Sequence, residues 1–132
     1  MLKIFSKKIK ASCVLIADDV ATIRTIVSGP FKKAEYRIVE ARNGDEVLSF
    51  ARSHNPDLIV LDLQMGNRGG VSALEELLLD PNLAQVPVVI LSGEKDETII
   101  NSVKNKDNVI DFIGKDNLTQ VIENLQKHVK KS

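Results

Sequence analysis

Four apolar runs in this 132-residue chain end in groups able to do chemistry together. Asp18 and Asp19 follow Cys13-Val14-Leu15-Ile16-Ala17, and Asp62 follows Leu58-Ile59-Val60-Leu61. Ser92 closes Val88-Val89-Ile90-Leu91, and Lys115 lies just past Val109-Ile110-Asp111-Phe112-Ile113. Three carboxylates in one cleft repel, and at least one should resist ionisation unless a cation joins them. Mg²⁺ suits such a set, because it takes oxygen ligands, keeps several waters and bridges to phosphate. Lys115 offers a positive charge and Ser92 a hydroxyl, both fitted to a phosphoryl oxygen. The chemistry implied is an aspartyl phosphate. A carboxylate is a weak nucleophile, but phosphoryl transfer asks mainly for alignment and neutralised oxygen charge.

Taken singly, each group has a plainer reading. Asp18-Asp19 can simply open a helix, where acids favour the dipole. A lone lysine is ordinarily a solvated residue, and a serine after a strand is ordinarily a turn residue. The combination is what carries weight, and it requires elements that bring four strand ends together.

Apolar runs without alternation suit strands covered on both faces, as in a parallel sheet. Strand-like and helix-like patterns alternate along the chain, which predicts a parallel α/β fold. In a sheet of order 2-1-3-4-5, the strands ending at Asp18 and Asp62 are neighbours at the switch point where ligands bind. Tyr36 to Ala41 alternates like a half-exposed edge strand, and Val86 to Leu91 reads as the fourth strand. The first helix should begin at Val20 with Ile23, Ile26 and Val27 on one face, and Gly29-Pro30 predicts a kink or early stop. Further helices are expected over Asp45 to Arg52, with Val47, Leu48 and Ala51 inward, and over Val71 to Leu79, with Val71, Leu74, Leu77 and Leu78 inward. Asp96 to Val103 should form a short polar helix. Asn117 should cap a last helix striped by Leu118, Val121, Ile122, Leu125 and Val129. Between Asp62 and the third helix, Gly66-Asn67-Arg68-Gly69-Gly70 reads as a flexible loop.

Composition bounds the class. At 43% hydrophobic and 27% charged, the chain reads as one globular domain, with a basic extension over 1–11 and the domain proper over 12–132. No apolar run approaches the roughly 20 residues that span a bilayer, and the amino-terminal residues do not resemble a signal peptide. The single cysteine excludes an internal disulfide and points to the cytoplasm. Four lysines lie in residues 1–10 and three among the last six, which leaves 11 basic against 18 acidic residues between, a net of −7. A basic end can seek membrane phosphate or nucleic acid, or simply solubilise a terminus. Aromatics at 4%, with no basic stripe, argue against direct nucleic-acid reading.

At this point the sequence resembles the receiver domain of two-component response regulators, over about residues 12 to 130. The resemblance rests on Val14-Leu15-Ile16-Ala17-Asp18-Asp19, Ala41-Arg42-Asn43-Gly44-Asp45-Glu46, Pro56 through Met65, and Pro87-Val88-Val89-Ile90-Leu91-Ser92. The spacing from Asp62 to Gly70, Ser92 and Lys115 fits as well. The resemblance implies a flavodoxin-like, doubly wound five-stranded parallel sheet of order 2-1-3-4-5 with helices on both faces. It implies that Asp62 is the phosphoacceptor, that Asp18, Asp19 and Asp62 hold Mg²⁺ with the backbone carbonyl of Gln64, and that Lys115 contacts the phosphoryl group. Ser92 and Phe112 would be the hydroxyl and aromatic of an activation switch, although Phe112 also reads as plain core. The expected donor is a histidine kinase or histidine phosphotransferase, and the output is altered contact with a downstream protein. The chain would be a stand-alone receiver or a fragment of a longer protein.

Three departures from the family pattern stand out: Gly66 where proline usually follows the methionine, Gly29-Pro30 inside the first helix, and Asp116 where proline usually follows the lysine. Before a non-proline residue a cis bond costs about 2.5–4 kcal/mol, so a trans Lys115–Asp116 bond is expected, with Lys115 still in reach of Asp62. Asp116 should hold the lysine or help cap the last helix. Other functions fit less well. A pseudo-receiver that is never phosphorylated would not need the complete acidic set. An aspartyl-phosphate hydrolase needs a second acid two residues past the nucleophile, where Gln64 stands. A flavin site would want a Ser/Thr/Gly-rich first turn rather than an acidic one.

Overall fold

The computed structural model describes residues 11–66 and 69–130. Five strands, β1 (Cys13–Ala17), β2 (Arg37–Ala41), β3 (Leu58–Leu61), β4 (Val88–Ser92) and β5 (Val109–Gly114), form one parallel sheet. Its order is β2-β1-β3-β4-β5. Helices α1 (Ala21–Lys33), α2 (Gly44–His54), α3 (Gly70–Leu79), α4 (Glu97–Lys104) and α5 (Leu118–Gln126) make the connections. The expected fold class and strand order hold. Residues 1–10 and the tip Asn67-Arg68 of the expected flexible loop lie outside the described residues.

β1, β3 and β4 are buried at every position, which explains their unbroken apolar sequences. Successive side chains serve opposite layers. Leu15, Ile59, Leu61 and Ile90 pack with Val47, Leu48, Ala73, Leu74, Leu77 and Val103 of α2, α3 and α4. Ile16, Val60, Val89 and Leu91 pack with Val27 and Phe31 of α1 and with Val121 and Leu125 of α5. Each such aliphatic side chain contributes about 1.5–3 kcal/mol by leaving water. β2 alternates in burial, as an edge strand should. In β5 a register shift leaves Ile110 outside the pairing and 53% exposed, and Phe112 then pairs with Ile90 on the α2–α4 side.

Several local expectations are corrected. Gly29-Pro30 does not stop α1, which runs through Pro30 to Lys33. An interior proline costs a helix about 3 kcal/mol or more. Opposing that cost, Pro30 and Phe31 are both buried, and Phe31 meets Tyr36 edge-to-face at 5.2 Å. The buried face of α1 is accordingly Val27, Ser28, Pro30 and Phe31, while Ile26 is 40% exposed. In α3 Ala73 joins Leu74 and Leu77 inside, and Leu78 is only half-buried. The α5 stripe is narrower than expected, with Val121 and Leu125 buried, Leu118 exposed and Val129 beyond the helix end. β4 starts two residues later than read, because Val86 closes a turn onto Leu83. Among the described residues, no helix is long and apolar enough to cross a membrane.

Candidate functional site

Backbone pairing sets the site. Parallel β1 and β3 align Ala17 with Leu61, so the residues after them emerge side by side. The Asp62 N–H donates to the Ala17 carbonyl at 3.0 Å, and the Asp18 N–H donates to Ala41 of β2 at 3.1 Å. On the other side, Ser92 aligns with Gly114, and the Lys115 N–H donates to the Ser92 carbonyl at 3.0 Å. One edge of the sheet therefore carries Asp18, Asp19, Asp62, Ser92 and Lys115 together.

The carboxylates of Asp18, Asp19 and Asp62 each offer an oxygen, all within 4.8 Å of one another. Asp18 and Asp62 are each 2% exposed, whereas Asp19 faces solvent. The Lys115 ammonium lies 2.6 Å from Asp18 Oδ2 and 3.0 Å from Asp62 Oδ2. Asp62 Oδ1 accepts the Gln64 N–H at 3.1 Å, and Asp18 Oδ1 accepts the Val20 N–H at 2.9 Å. Burial pushes the Asp62 carboxyl above its ordinary range, against the Gln64 and Lys115 hydrogen bonds that hold it down, and the Asp18 charge adds to the rise. Burial pulls the Lys115 ammonium down, but its bonds to Asp18 and Asp62 together outweigh that and raise it. Three hard oxygen donors around a partly solvated point match the ligand chemistry of Mg²⁺ or Mn²⁺.

All peptide bonds among the described residues are trans, including Lys115–Asp116, and Lys115 nevertheless reaches Asp62. Asp116, however, neither holds that ammonium nor caps α5. Its carboxylate takes Lys95 Nζ at 2.7 Å, and Asn117 alone caps the helix by accepting from Thr119 and Gln120. Ser92 is buried, and its Oγ accepts the Glu94 N–H at 3.0 Å. Phe112 is partly buried against the α2–α4 core, with Lys104 Nζ 5.8 Å from its ring centroid. Gln64 is exposed, two residues beyond Asp62.

One supporting residue escaped the sequence reading, and a second, Gly70, entered it only by its spacing from Asp62. Arg24, on the first turn of α1, donates to the Asp18 carbonyl at 2.8 Å and to Glu40 at 2.9 Å, with its side chain only 11% exposed. A lone arginine in an amphipathic helix gives no signal of this in sequence. Gly70 opens α3 so close to the Asp62–Leu63 backbone that a Cβ there would collide with the Asp62 carbonyl and stand 2.7 Å from Leu63 Cα. Its place beside Gly69, just before a helical run, was the available hint.

The family model of the response regulator receiver domain matches residues 14–127. The transcriptional regulatory protein PdtaR of Mycobacterium tuberculosis is 31% identical over 93 residues, which are 70% of this chain and 44% of that protein. The chain thus spans less than half the length of that relative. Protein PilH of Pseudomonas aeruginosa is 28% identical over 85 residues, 64% of this chain and 70% of its own. Among solved structures, the phosphorylated cyanobacterial phytochrome response regulator RcpA superposes with a TM-score of 0.80 at 25% identity, covering 90% of this chain and 91% of that one. The Mn²⁺-bound response regulator Rcp1 superposes at 0.74 with 24% identity, over 88% and 90% of the two chains, and speaks for the fold.

Proposed function

The chain belongs to the response regulator receiver family, and from that premise we propose that it accepts a phosphoryl group on Asp62 from a phosphohistidine. The donor would be a histidine kinase or a histidine phosphotransferase, and the output a change in contacts with a downstream protein. The observation that carries this reading is the meeting of three carboxylates with the Lys115 ammonium at one sheet edge.

In the forward step an Asp62 oxygen attacks phosphorus, the P–N bond to the donor imidazole breaks, and that nitrogen leaves with the electron pair and takes a proton. Lys115 stays charged throughout and faces the oxygen charge of the transferred group. The Gln64 N–H fixes the carboxylate's rotation. Asp18, Asp19, Asp62 and the Gln64 carbonyl would hold Mg²⁺, which when bound neutralises phosphoryl oxygen charge. In a separate hydrolytic step water attacks phosphorus, the P–O bond to Asp62 breaks, the water gives up a proton to solvent, and the Asp62 carboxylate is restored with release of inorganic phosphate. With Gln64 in place of a second acid, the chain acts only on its own phosphoryl group. The family consists of signalling modules, and this member is read as one of them.

Ser92 and Phe112 would relay the change. The Ser92 Oγ accepts from Glu94, so its own proton is free to turn toward a phosphoryl oxygen. Displacement of that hydroxyl vacates space for the Phe112 ring, a two-state element of the expected kind. The same reading takes 1–11 as a basic extension, 12–132 as the receiver domain, and the cytoplasm as its place.

Isothermal titration with beryllofluoride tests the reading. One-site binding that requires both Mg²⁺ and beryllofluoride is expected. Absence of binding with both present would make the chain a pseudo-receiver instead.

A further inference from the structure

Lys115 has a rival carboxylate one residue away. Where the family usually places proline, this chain has Asp116, so no ring restricts the backbone after the lysine and a negative charge sits beside it. The structure shows where that charge goes: Asp116 Oδ2 lies 2.7 Å from Lys95 Nζ, with the two side chains 72% and 70% exposed. Lys95 belongs to the β4–α4 loop and Asp116 to the β5–α5 loop. These loops already touch one step further in, where the Lys115 N–H meets the Ser92 carbonyl. Of the two acids that flank Lys95, Glu94 uses Oε2 to accept the backbone N–H groups of Lys95 and Asp96, both at 3.1 Å, and Asp96 uses Oδ1 to cap α4 by accepting from Thr98 and Ile99.

We propose that Lys95 is a positioning residue for phosphoryl transfer: by occupying Asp116, it leaves the Lys115 ammonium to Asp18 and Asp62. This deepens the reading of Asp62 as phosphoacceptor and rests on it for the transfer consequence, but the placement of Lys115 is measurable without any phosphoryl donor. So exposed a pair contributes little to stability. Its effect lies in which carboxylate holds which lysine. That separates it from a simple tie between loops. A tie is lost equally whichever partner is removed, whereas a decoy matters only while Asp116 is present to compete.

The side-chain ammonium signal of Lys115 in ¹⁵N NMR, assigned through Lys115→Arg, decides the matter. In Lys95→Ala the signal is expected to move or broaden as Asp116 draws the ammonium outward. In Lys95→Ala/Asp116→Asn it should return to the wild-type position. Acetyl phosphate labelling followed by intact mass should then show a rate loss of roughly 3–10-fold in the single variant, restored in the double. Melting temperatures should stay within about 2 °C of each other, as expected for an exposed pair. An unchanged Lys115 signal in Lys95→Ala would overturn the proposal. So would a double variant as displaced as the single, the result a mere tie predicts. If wild-type protein takes no phosphoryl group at all, the functional reading fails while the ammonium signals still decide this one.

Discussion

Asp62 is 2% exposed, and burial raises its carboxyl above the ordinary range despite the neighbouring Lys115. An acid that binds its proton more tightly when folded favours the folded state at low pH. Its contribution is therefore lost as pH rises from near its usual value through the raised one. At neutral pH the ionised group then works against folding, as an incompletely compensated buried charge. Asp62→Asn should accordingly raise the melting temperature at pH 7 by a few degrees, with a smaller gain below the carboxylate range. Thermal melts at both pH values check this. A variant less stable than wild type at pH 7 would mean that the Lys115 ion pair dominates instead. Stability given up at one residue is the expected mark of a site kept for chemistry rather than packing.

At the scale of elements, the site depends on how tightly α3 begins against the end of β3. Gly70 leaves no room for a side chain beside the Asp62 carbonyl and Leu63 Cα. Gly70→Ala must push α3 away or shift the strand end, at about 1–3 kcal/mol for overpacking. Urea denaturation should show that loss, whereas Gly29→Ala, with nothing within 4 Å, should show no comparable loss. Equal effects at the two glycines would remove the close approach as the cause. Much of the element plan was legible because β1, β3 and β4 are apolar on both faces, a pattern helices and edge strands rarely produce. The early stop at Pro30 was misread because a local rule sees the lost hydrogen bond but not Phe31 and Pro30 entering the core. Asp116 was misread for a similar reason: its partner Lys95 lies 21 residues away in sequence. Residue types at strand ends told what the site could do, whereas the long-range partners that aim those residues left no periodic trace.

Across the whole molecule, the strand order turns four distant sequence positions into one cleft. Asp18 and Asp62 come from neighbouring strands at the switch point, and Ser92 and Lys115 approach from the next pair. The two helical layers bury the central strands β1, β3 and β4 on both faces. The loops leading into α3, α4 and α5 all meet this edge, since the Gly70 N–H donates to the Leu63 carbonyl, the Lys115 N–H to the Ser92 carbonyl, and the Lys115 ammonium reaches Asp62. The central claim is that Asp62 takes the phosphoryl group. It is tested most directly by intact-mass measurement after incubation with acetyl phosphate and Mg²⁺, wild type beside Asp62→Asn. Wild type should gain the mass of one phosphoryl group and lose it again on standing, while Asp62→Asn gains none. An Asp62→Asn protein that gains the same mass would place the phosphoryl group elsewhere and contradict the account.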